Sequence, residues 1–234
     1  MENGKAVVAG LTSQDPVDRR ASQHNPGRVP MAVRFLNFLL ERLLMRRLWA
    51  AWRDCLAAAA VPGSGGIVVL GDSITHGGRW DLMFPGLPMR NFGISGERSE
   101  HLLTRLDPII GLRPDKLFLL IGTNDLFVGR SVDDICSDVD QIIDRLSRAL
   151  PDCRIHLQTV MPRAEKYAER IRALNLRYRE IASRHGIHLI DLYPVFEDGK
   201  GKLRKALTYD GLHLQGAGYR IWGELLEPYI VAQP

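Results

Sequence analysis

The chain has 234 residues, of which 45% are hydrophobic and 25% are charged. These values are typical of a globular protein of one or two domains, and they exclude a disordered chain, a collagen and a membrane bundle. A chain of this length can bury a core that needs neither disulfides nor a metal ion. The net charge of +4 lies unevenly, because residues 1–62 hold nine Lys and Arg against five Asp and Glu. The remainder holds 22 of each (31 less nine, and 27 less five), and a neutral core without a basic stripe argues against a nucleic-acid partner.

Cysteine usage indicates the redox environment. The sequence has three cysteines at unrelated spacings, Cys55, Cys136 and Cys153. An odd number without a C-x-x-C pattern fits neither a disulfide framework nor a zinc site. We therefore predict reduced thiols and a cytoplasmic location.

The first sixty residues differ from the rest of the chain. Residues 1–31 are polar and contain three prolines, so we expect them to be disordered or to be an added extension. Residues 32–62 are rich in good helix formers, and no Pro or Gly interrupts them before Pro62, which predicts an N-terminal helix. Six charged side chains exclude a membrane span or a signal peptide here: Glu41, Arg42, Arg46, Arg47, Arg53 and Asp54.

The environment of this helix is left open by the sequence. Its Leu, Phe and Trp residues favour packing on the domain or, in a homodimer, on a second subunit. The alternative is a basic interfacial helix, residues 32–60, that lies on an anionic membrane.

Residues 63–234 alternate between two kinds of segment, which predicts a single α/β domain. Short apolar runs predict strands at Ile67–Leu70, Met89–Ile94, Lys116–Ile121, Arg154–Val160 and Ile187–Leu192. Stretches with helical periodicity lie at Ser99–Ile110, Val132–Leu150, Ala164–His185 and Ala217–Ile230. Strands alternating with helices, and apolar along their whole length, indicate a parallel sheet covered on both faces. We expect a three-layer α/β/α domain with about five parallel strands.

Polar blocks follow the strands at the edge where such sheets bind ligands. Ser73 stands where the first strand ends and a helix should begin, which suits an exposed nucleophile. His213 is the natural base for it, and Asp210 lies three residues earlier, within reach of one imidazole nitrogen on a single turn. Nucleophile, base and orienting carboxylate are what ester cleavage by a serine requires.

A developing oxyanion also needs hydrogen-bond donors. The candidates are the N–H of Ser73 itself, the side-chain amide of Asn124 and the N–H of Gly96, where a side chain would crowd the substrate. Gly93 competes with Gly96, but we interpret it as the residue of a tight turn. His76, three residues after the serine, is interpreted as part of the pocket wall rather than as the base.

Four blocks together resemble the SGNH, or GDSL-type, hydrolase superfamily. They are Gly-Asp-Ser-Ile from Gly71, Asn-Phe-Gly-Ile-Ser-Gly from Asn91, Gly-Thr-Asn-Asp from Gly122 and Asp-Gly-Leu-His-Leu from Asp210. They occur in the family order, over about residues 66–230. Within the superfamily, the second block and the Leu212-His-Leu…Gly218-Tyr219 pattern look most like the catalytic subunits of platelet-activating-factor acetylhydrolase and related bacterial esterases.

The resemblance implies a flavodoxin-like SGNH fold for residues 63–234 and a triad of Ser73, His213 and Asp210. It also implies an oxyanion hole formed by Ser73, Gly96 and Asn124. The glycine block departs from the usual pattern, because Glu97-Arg98 stands where the family has Asp-Thr. We expect this departure to bring a cationic side chain near the pocket.

We therefore expect a serine esterase that forms an acyl-enzyme and needs no cofactor or metal. The short intervals between blocks leave no room for a lid or an acyl tunnel, which favours short, acetyl-type esters of a small molecule. A lysophospholipase or thioesterase is the alternative hydrolase. An O-acyltransferase would use the same residues, so the sequence does not separate it from an esterase.

Overall fold

A five-stranded parallel sheet forms the centre of the computed structural model, which describes residues 47–232. The strand order is β2-β1-β3-β4-β5, and all four pairings are parallel. The strands are β1 Ile67–Gly71, β2 Met89–Gly93, β3 Lys116–Leu120, β4 Arg154–Gln158 and β5 His188–Ile190. Because β1 lies between β2 and β3, the ends of these three strands meet at one edge of the sheet.

Helices fill the connections between strands. The described chain begins within helix α1, which covers residues 47–59. The following helices are α2 Ser73–His76, α3 Trp80–Met83, α4 Ser99–Leu103, α5 Asp107–Leu112, α6 Thr123–Phe127, α7 Val132–Ala149, α8 Ala168–His185, α9 Tyr193–Phe196 and α10 Gly216–Val231. Two 3-10 turns lie at Glu165–Tyr167 and Lys205–Leu207.

The core is divided into two layers by the sheet. Alternate residues of a strand point to opposite faces, so Val68 and Leu70 pack with α4, α5, α7 and α8. Ile67 and Val69 pack on the other face, mainly with α3 and α10. The predicted three-layer α/β/α architecture with a five-stranded parallel sheet is confirmed.

One predicted helix is wrong in detail. The sequence predicts a single helix over Ser99–Ile110, but the structure has two short helices, α4 and α5. Pro108 occupies the first turn of α5, where a proline is tolerated, and the chain bends just before it. At the bend Arg105 turns inward, and its guanidinium donates 2.7 Å hydrogen bonds to the Phe92 carbonyl and to Glu97.

The N-terminal predictions are covered only in part. Those for residues 1–31, and for the helix over residues 32–46, lie outside the described residues. Residues 47–59 are helical, and Leu56 and Ala60 pack against the core layer of α4, α5, α7 and α8. Among the described helices, none is long and apolar enough to cross a membrane.

Candidate active site

Ser73 is the first residue of α2, and only Asp72 separates it from the end of β1. Asp72 caps this helix, because its Oδ1 accepts a 2.9 Å hydrogen bond from the N–H of Ile74. The residue before it must be small, since a Cβ on Gly71 would lie 2.1 Å from the carbonyl oxygen of Leu120. The Gly-Asp-Ser block therefore makes a tight strand-to-helix turn that leaves Ser73 only partly buried.

The structure brings Ser73, His213 and Asp210 into one chain of hydrogen bonds. The Oγ of Ser73 lies 2.9 Å from Nε2 of His213, and Nδ1 of the same ring lies 2.6 Å from Oδ2 of Asp210. The other carboxylate oxygen of Asp210 accepts hydrogen bonds from the backbone N–H of Leu212 at 2.9 Å and of His213 at 2.7 Å. Both ring nitrogens of His213 are thus engaged, and the turn fixes the orientation of the ring.

The electrostatics keep Asp210 ionised. Partial burial acts to raise its pKa, but the hydrogen bonds from the His213 side chain and from two backbone N–H groups outweigh it and lower the pKa to about 2. Asp210 is therefore a carboxylate at any pH near neutrality, and it can accept a hydrogen bond from the Nδ1–H of His213.

Gly96 and Asn124 lie together at the end of β2. Gly96 has a φ of +76°, in the left-handed region that glycine adopts without strain. The Nδ2 of Asn124, from the first turn of α6, donates a 3.0 Å hydrogen bond to the carbonyl oxygen of Glu97. Since an amide nitrogen carries two hydrogens, this bond leaves one for another acceptor.

Gly93 is needed for a reason other than the predicted tight turn. It is the last residue of β2, and a Cβ there would lie 2.3 Å from the backbone nitrogen of His76. The requirement is close approach of α2 to the strand. His76 itself packs edge-on against Trp52, with ring centroids 4.8 Å apart.

The Glu97-Arg98 departure has a structural explanation. Glu97 is buried and pairs with Arg105, which holds both of its carboxylate oxygens. Burial raises the pKa of Glu97, and Arg105 opposes this shift. The guanidinium of Arg98 lies 2.5 Å from the Glu100 carboxylate and 3.0 Å from the His101 ring, so its charge is paired within the loop.

Three residues near the site were not given a role by sequence reasoning. Asn91 donates hydrogen bonds to the carbonyl oxygens of Thr75, His76 and Gly78 and so stabilises the end of α2. A polar side chain within an otherwise apolar strand was the sequence signal that could have indicated this role. Arg163 is buried, lies 4.2 Å from the centroid of the Tyr167 ring, and interacts electrostatically with Asp72 and Asp210. Trp49 contacts the Gly96 loop, and no local pattern could have shown this.

Among the residues described, no cluster of three or more His, Cys, Asp or Glu could hold a metal ion. His156 is stacked on Phe118 at 4.6 Å, and burial together with nearby positive charges lowers its pKa to about 4. It is therefore a neutral core side chain.

A serine at the turn from β1 to α2, with Asp-x-x-His just before the last helix of a parallel α/β domain, is the arrangement of a GDSL-type acylhydrolase. The model of the GDSL-like Lipase/Acylhydrolase family matches residues 69–221, and the chain belongs to this family.

Individual relatives agree with this assignment. The platelet-activating factor acetylhydrolase IB subunit alpha1 of Pongo abelii is 27% identical over 164 residues, which cover 65% of this chain and 70% of that protein. A solved protein from Streptococcus pneumonia, named for platelet activating factor, is 30% identical with a TM-score of 0.72 and covers 87% of this chain and 100% of its own. A GDSL-like lipase from Bacteroides thetaiotaomicron shares the fold, with a TM-score of 0.65 and 24% identity, covering 80% of this chain and 96% of its own. The chain is accordingly a hydrolase that acts on esters.

Proposed function

We propose that the chain hydrolyses short-chain esters, acetyl esters first, with Ser73 as the nucleophile. The observation that carries this proposal is the hydrogen-bonded chain from Ser73 Oγ through His213 to Asp210. Among serine hydrolases such a chain activates the hydroxyl, because the imidazole takes its proton as the carbonyl carbon is attacked.

The reaction then runs in two halves. Ser73 Oγ bonds to the ester carbonyl carbon while its proton passes to Nε2 of His213, and the resulting imidazolium is stabilised by ionised Asp210. The tetrahedral intermediate collapses, the carbon–oxygen bond to the alcohol breaks, and His213 protonates the departing alkoxide. Water, deprotonated by His213, attacks the acyl-enzyme in the same way and releases the acid and free Ser73.

The oxyanion of each intermediate takes hydrogen bonds from the N–H of Ser73, the N–H of Gly96 and the side-chain amide of Asn124. The bond from Asn124 to the Glu97 carbonyl supports this role, since it keeps the amide beside the Gly96 loop. Preorganised donors of this kind each contribute about 10²–10³ to the rate in serine hydrolases.

One observation favours a small acyl group. The platelet-activating factor acetylhydrolase relatives are named for removal of an acetyl group.

The test is hydrolysis of p-nitrophenyl esters from acetyl to dodecanoyl by the wild type and by Ser73→Ala. We expect kcat/KM to fall with chain length, and Ser73→Ala to lower it at least about 10³-fold. An unchanged rate in Ser73→Ala would overturn the mechanism. Faster turnover of octanoyl or longer esters would overturn the acyl preference and favour a lysophospholipase or thioesterase.

Product analysis with an added sugar or small alcohol distinguishes hydrolysis from acyl transfer. An esterase releases free acid at an unchanged rate, whereas an O-acyltransferase gives a new ester at the expense of the acid. A cytoplasmic location, and a homodimer or membrane contact through residues 32–60, are separate proposals. Fractionation, light scattering and co-sedimentation with anionic vesicles test them.

A further inference from the structure

The loop between β2 and α4, which carries Gly96, is contacted by α1. The indole Nε1 of Trp49 donates a 2.6 Å hydrogen bond to the carbonyl oxygen of Ser95. The same indole covers the next residue, because a Cβ on Gly96 would lie 3.1 Å from its Cζ2 atom. Trp49 is half-buried there, and its ring centroid lies 5.2 Å from that of His101.

The bonded carbonyl and the proposed oxyanion donor belong to the same peptide unit. The C=O of Ser95 and the N–H of Gly96 are joined through one planar amide, and in a trans peptide the two groups point in opposite directions. When Trp49 fixes the carbonyl on one side, it also fixes the direction of the N–H on the other. The hydrogen bond that the Ser95 carbonyl accepts from Trp49 also polarises the amide, and this makes the Gly96 N–H a stronger hydrogen-bond donor.

This restraint matters because the backbone at Gly96 is intrinsically free. Glycine reaches positive and negative φ with similar ease, so the sequence alone does not hold the value of +76°. A second contact joins α1 to the loop, since the Nε of Arg53 lies 4.0 Å from Oε1 of Glu97. The helix is itself anchored by Leu56, which packs against the core.

We infer that Trp49 is a positioning residue for ester hydrolysis, which acts by holding the Ser95–Gly96 peptide so that its N–H faces the oxyanion. The inference rests on the proposed function, because Gly96 serves as a donor only in that mechanism. It makes α1 part of the active site, although the family match begins only at residue 69.

The test replaces Trp49→Phe, which keeps an aromatic ring on Gly96 and removes the N–H. We expect kcat for p-nitrophenyl acetate to fall about 10-fold, less than for outright loss of an oxyanion donor, with KM changed less than twofold. Trp52→Phe is the matched control: it is the same substitution three residues along α1, and Trp52 packs on His76, not on the loop. Its kcat should stay within twofold of the wild type.

A second readout separates positioning from a general structural defect. Comparing p-nitrophenyl acetate with its thiono analogue, in which sulfur replaces the carbonyl oxygen, reports the strength of the hydrogen bonds to the oxyanion. We expect the oxygen-to-sulfur rate ratio to fall in Trp49→Phe and in Asn124→Ala, and to stay at the wild-type value in Asp210→Asn. An equal loss of both rates in Trp49→Phe would show a merely structural role and overturn the inference.

The failure of this inference is distinguishable from failure of the proposed function. If Ser73→Ala is inactive while folded Trp49→Phe keeps its kcat and its oxygen-to-sulfur rate ratio, the positioning role of Trp49 is overturned and the proposed function stands. If Ser73→Ala stays active, the mechanism falls and the inference with it. Should Trp49→Phe not fold, benzothienylalanine at position 49 removes the donor with the ring shape preserved, and the same two outcomes decide.

Discussion

Asp72 combines a structural role with an electrostatic cost at the entry to α2. One carboxylate oxygen caps the helix through Ile74, while the other is buried without a hydrogen-bond partner among the described residues. Burial is the main reason why the pKa of Asp72 rises to about 7, and the negative charges of Asp125 and Glu97 add to the shift. The ionised form of Asp72 is therefore disfavoured, directly beside Ser73.

This shift predicts a pH-dependent stability. The folded-state pKa is about 7 and the ordinary value is 3.8, so the folded protein holds a proton between these values that the unfolded chain has lost. The contribution of Asp72 to the free energy of unfolding is therefore complete below about pH 4 and is lost as the pH rises through 7, by up to about 4 kcal/mol.

Asp72→Asn keeps the capping oxygen and removes the charge. Between pH 5 and pH 8, the free energy of unfolding in urea should fall for the wild type but not for Asp72→Asn. The difference between the two proteins should therefore change by about a few kcal/mol in favour of the variant. Asp81→Asn, at an exposed position, is the control and should show no such trend. Parallel pH profiles for Asp72→Asn and the wild type would contradict the prediction.

At the scale of single residues, the sequence predicts best what is close along the chain. Asp210 and His213 are three residues apart on one turn, so their contact could be expected from spacing alone. The need for glycine at position 93 could not be predicted from spacing, because it depends on where the backbone of His76 lies in the fold.

At the scale of elements, the break between α4 and α5 serves the loop that carries Gly96. It lets Arg105 reach Glu97, the residue after Gly96, in a buried ion pair. A buried pair adds little net stability, but removal of one partner leaves an uncompensated charge. Helical periodicity over Ser99–Ile110 does not show the break, whereas Pro108 within that range is a sequence signal for it. The buried partner of Arg105 could not be predicted, because it depends on the fold.

Arg105→Met should therefore destabilise the protein by about 3–5 kcal/mol at neutral pH. The loss should be smaller at pH 5, because an unpaired buried Glu97 is more readily protonated there. Arg145→Met is the matched control, since Arg145 pairs with Asp107 at the exposed surface and should cost at most about 1 kcal/mol. Equal effects of the two substitutions in urea unfolding would argue against the buried pair.

At the scale of the whole molecule, the exposure of the three cysteines shows how tightly different parts of the protein are packed. All three are free thiols; Cys55 is exposed on α1, whereas Cys136 and Cys153 are covered. Burial raises the pKa of Cys136 to about 11 and that of Cys153 to about 12, which leaves both almost fully protonated at neutral pH.

We expect one thiol to react quickly with Ellman's reagent at pH 8 in the native protein, and three to react in urea. Cys55→Ser should abolish the fast phase and leave the slow thiols unchanged. Rapid reaction of all three native thiols would contradict the burial of Cys136 and Cys153.

The sheet, its two covering layers and the meeting of the polar blocks at one edge could be predicted from the sequence, because each follows from local apolar patterns and from the geometry of parallel strands. The contacts made by Trp49 and Arg163 could not be predicted from the sequence. Trp49 lies 46 residues from Ser95 along the chain, and an amphipathic helix carries no signal of which loop it will cover.

The hydrogen bond from Trp49 to Ser95 joins a residue outside the matched family domain to the loop that carries Gly96. A shortened chain starting near residue 69 would keep all the residues of the proposed triad and oxyanion hole, yet it would lack Trp49. Variation in the helix upstream of the domain could therefore tune turnover while the chemistry stays unchanged. The inferred role of Trp49 thus gives a residue outside the matched family domain an effect on turnover.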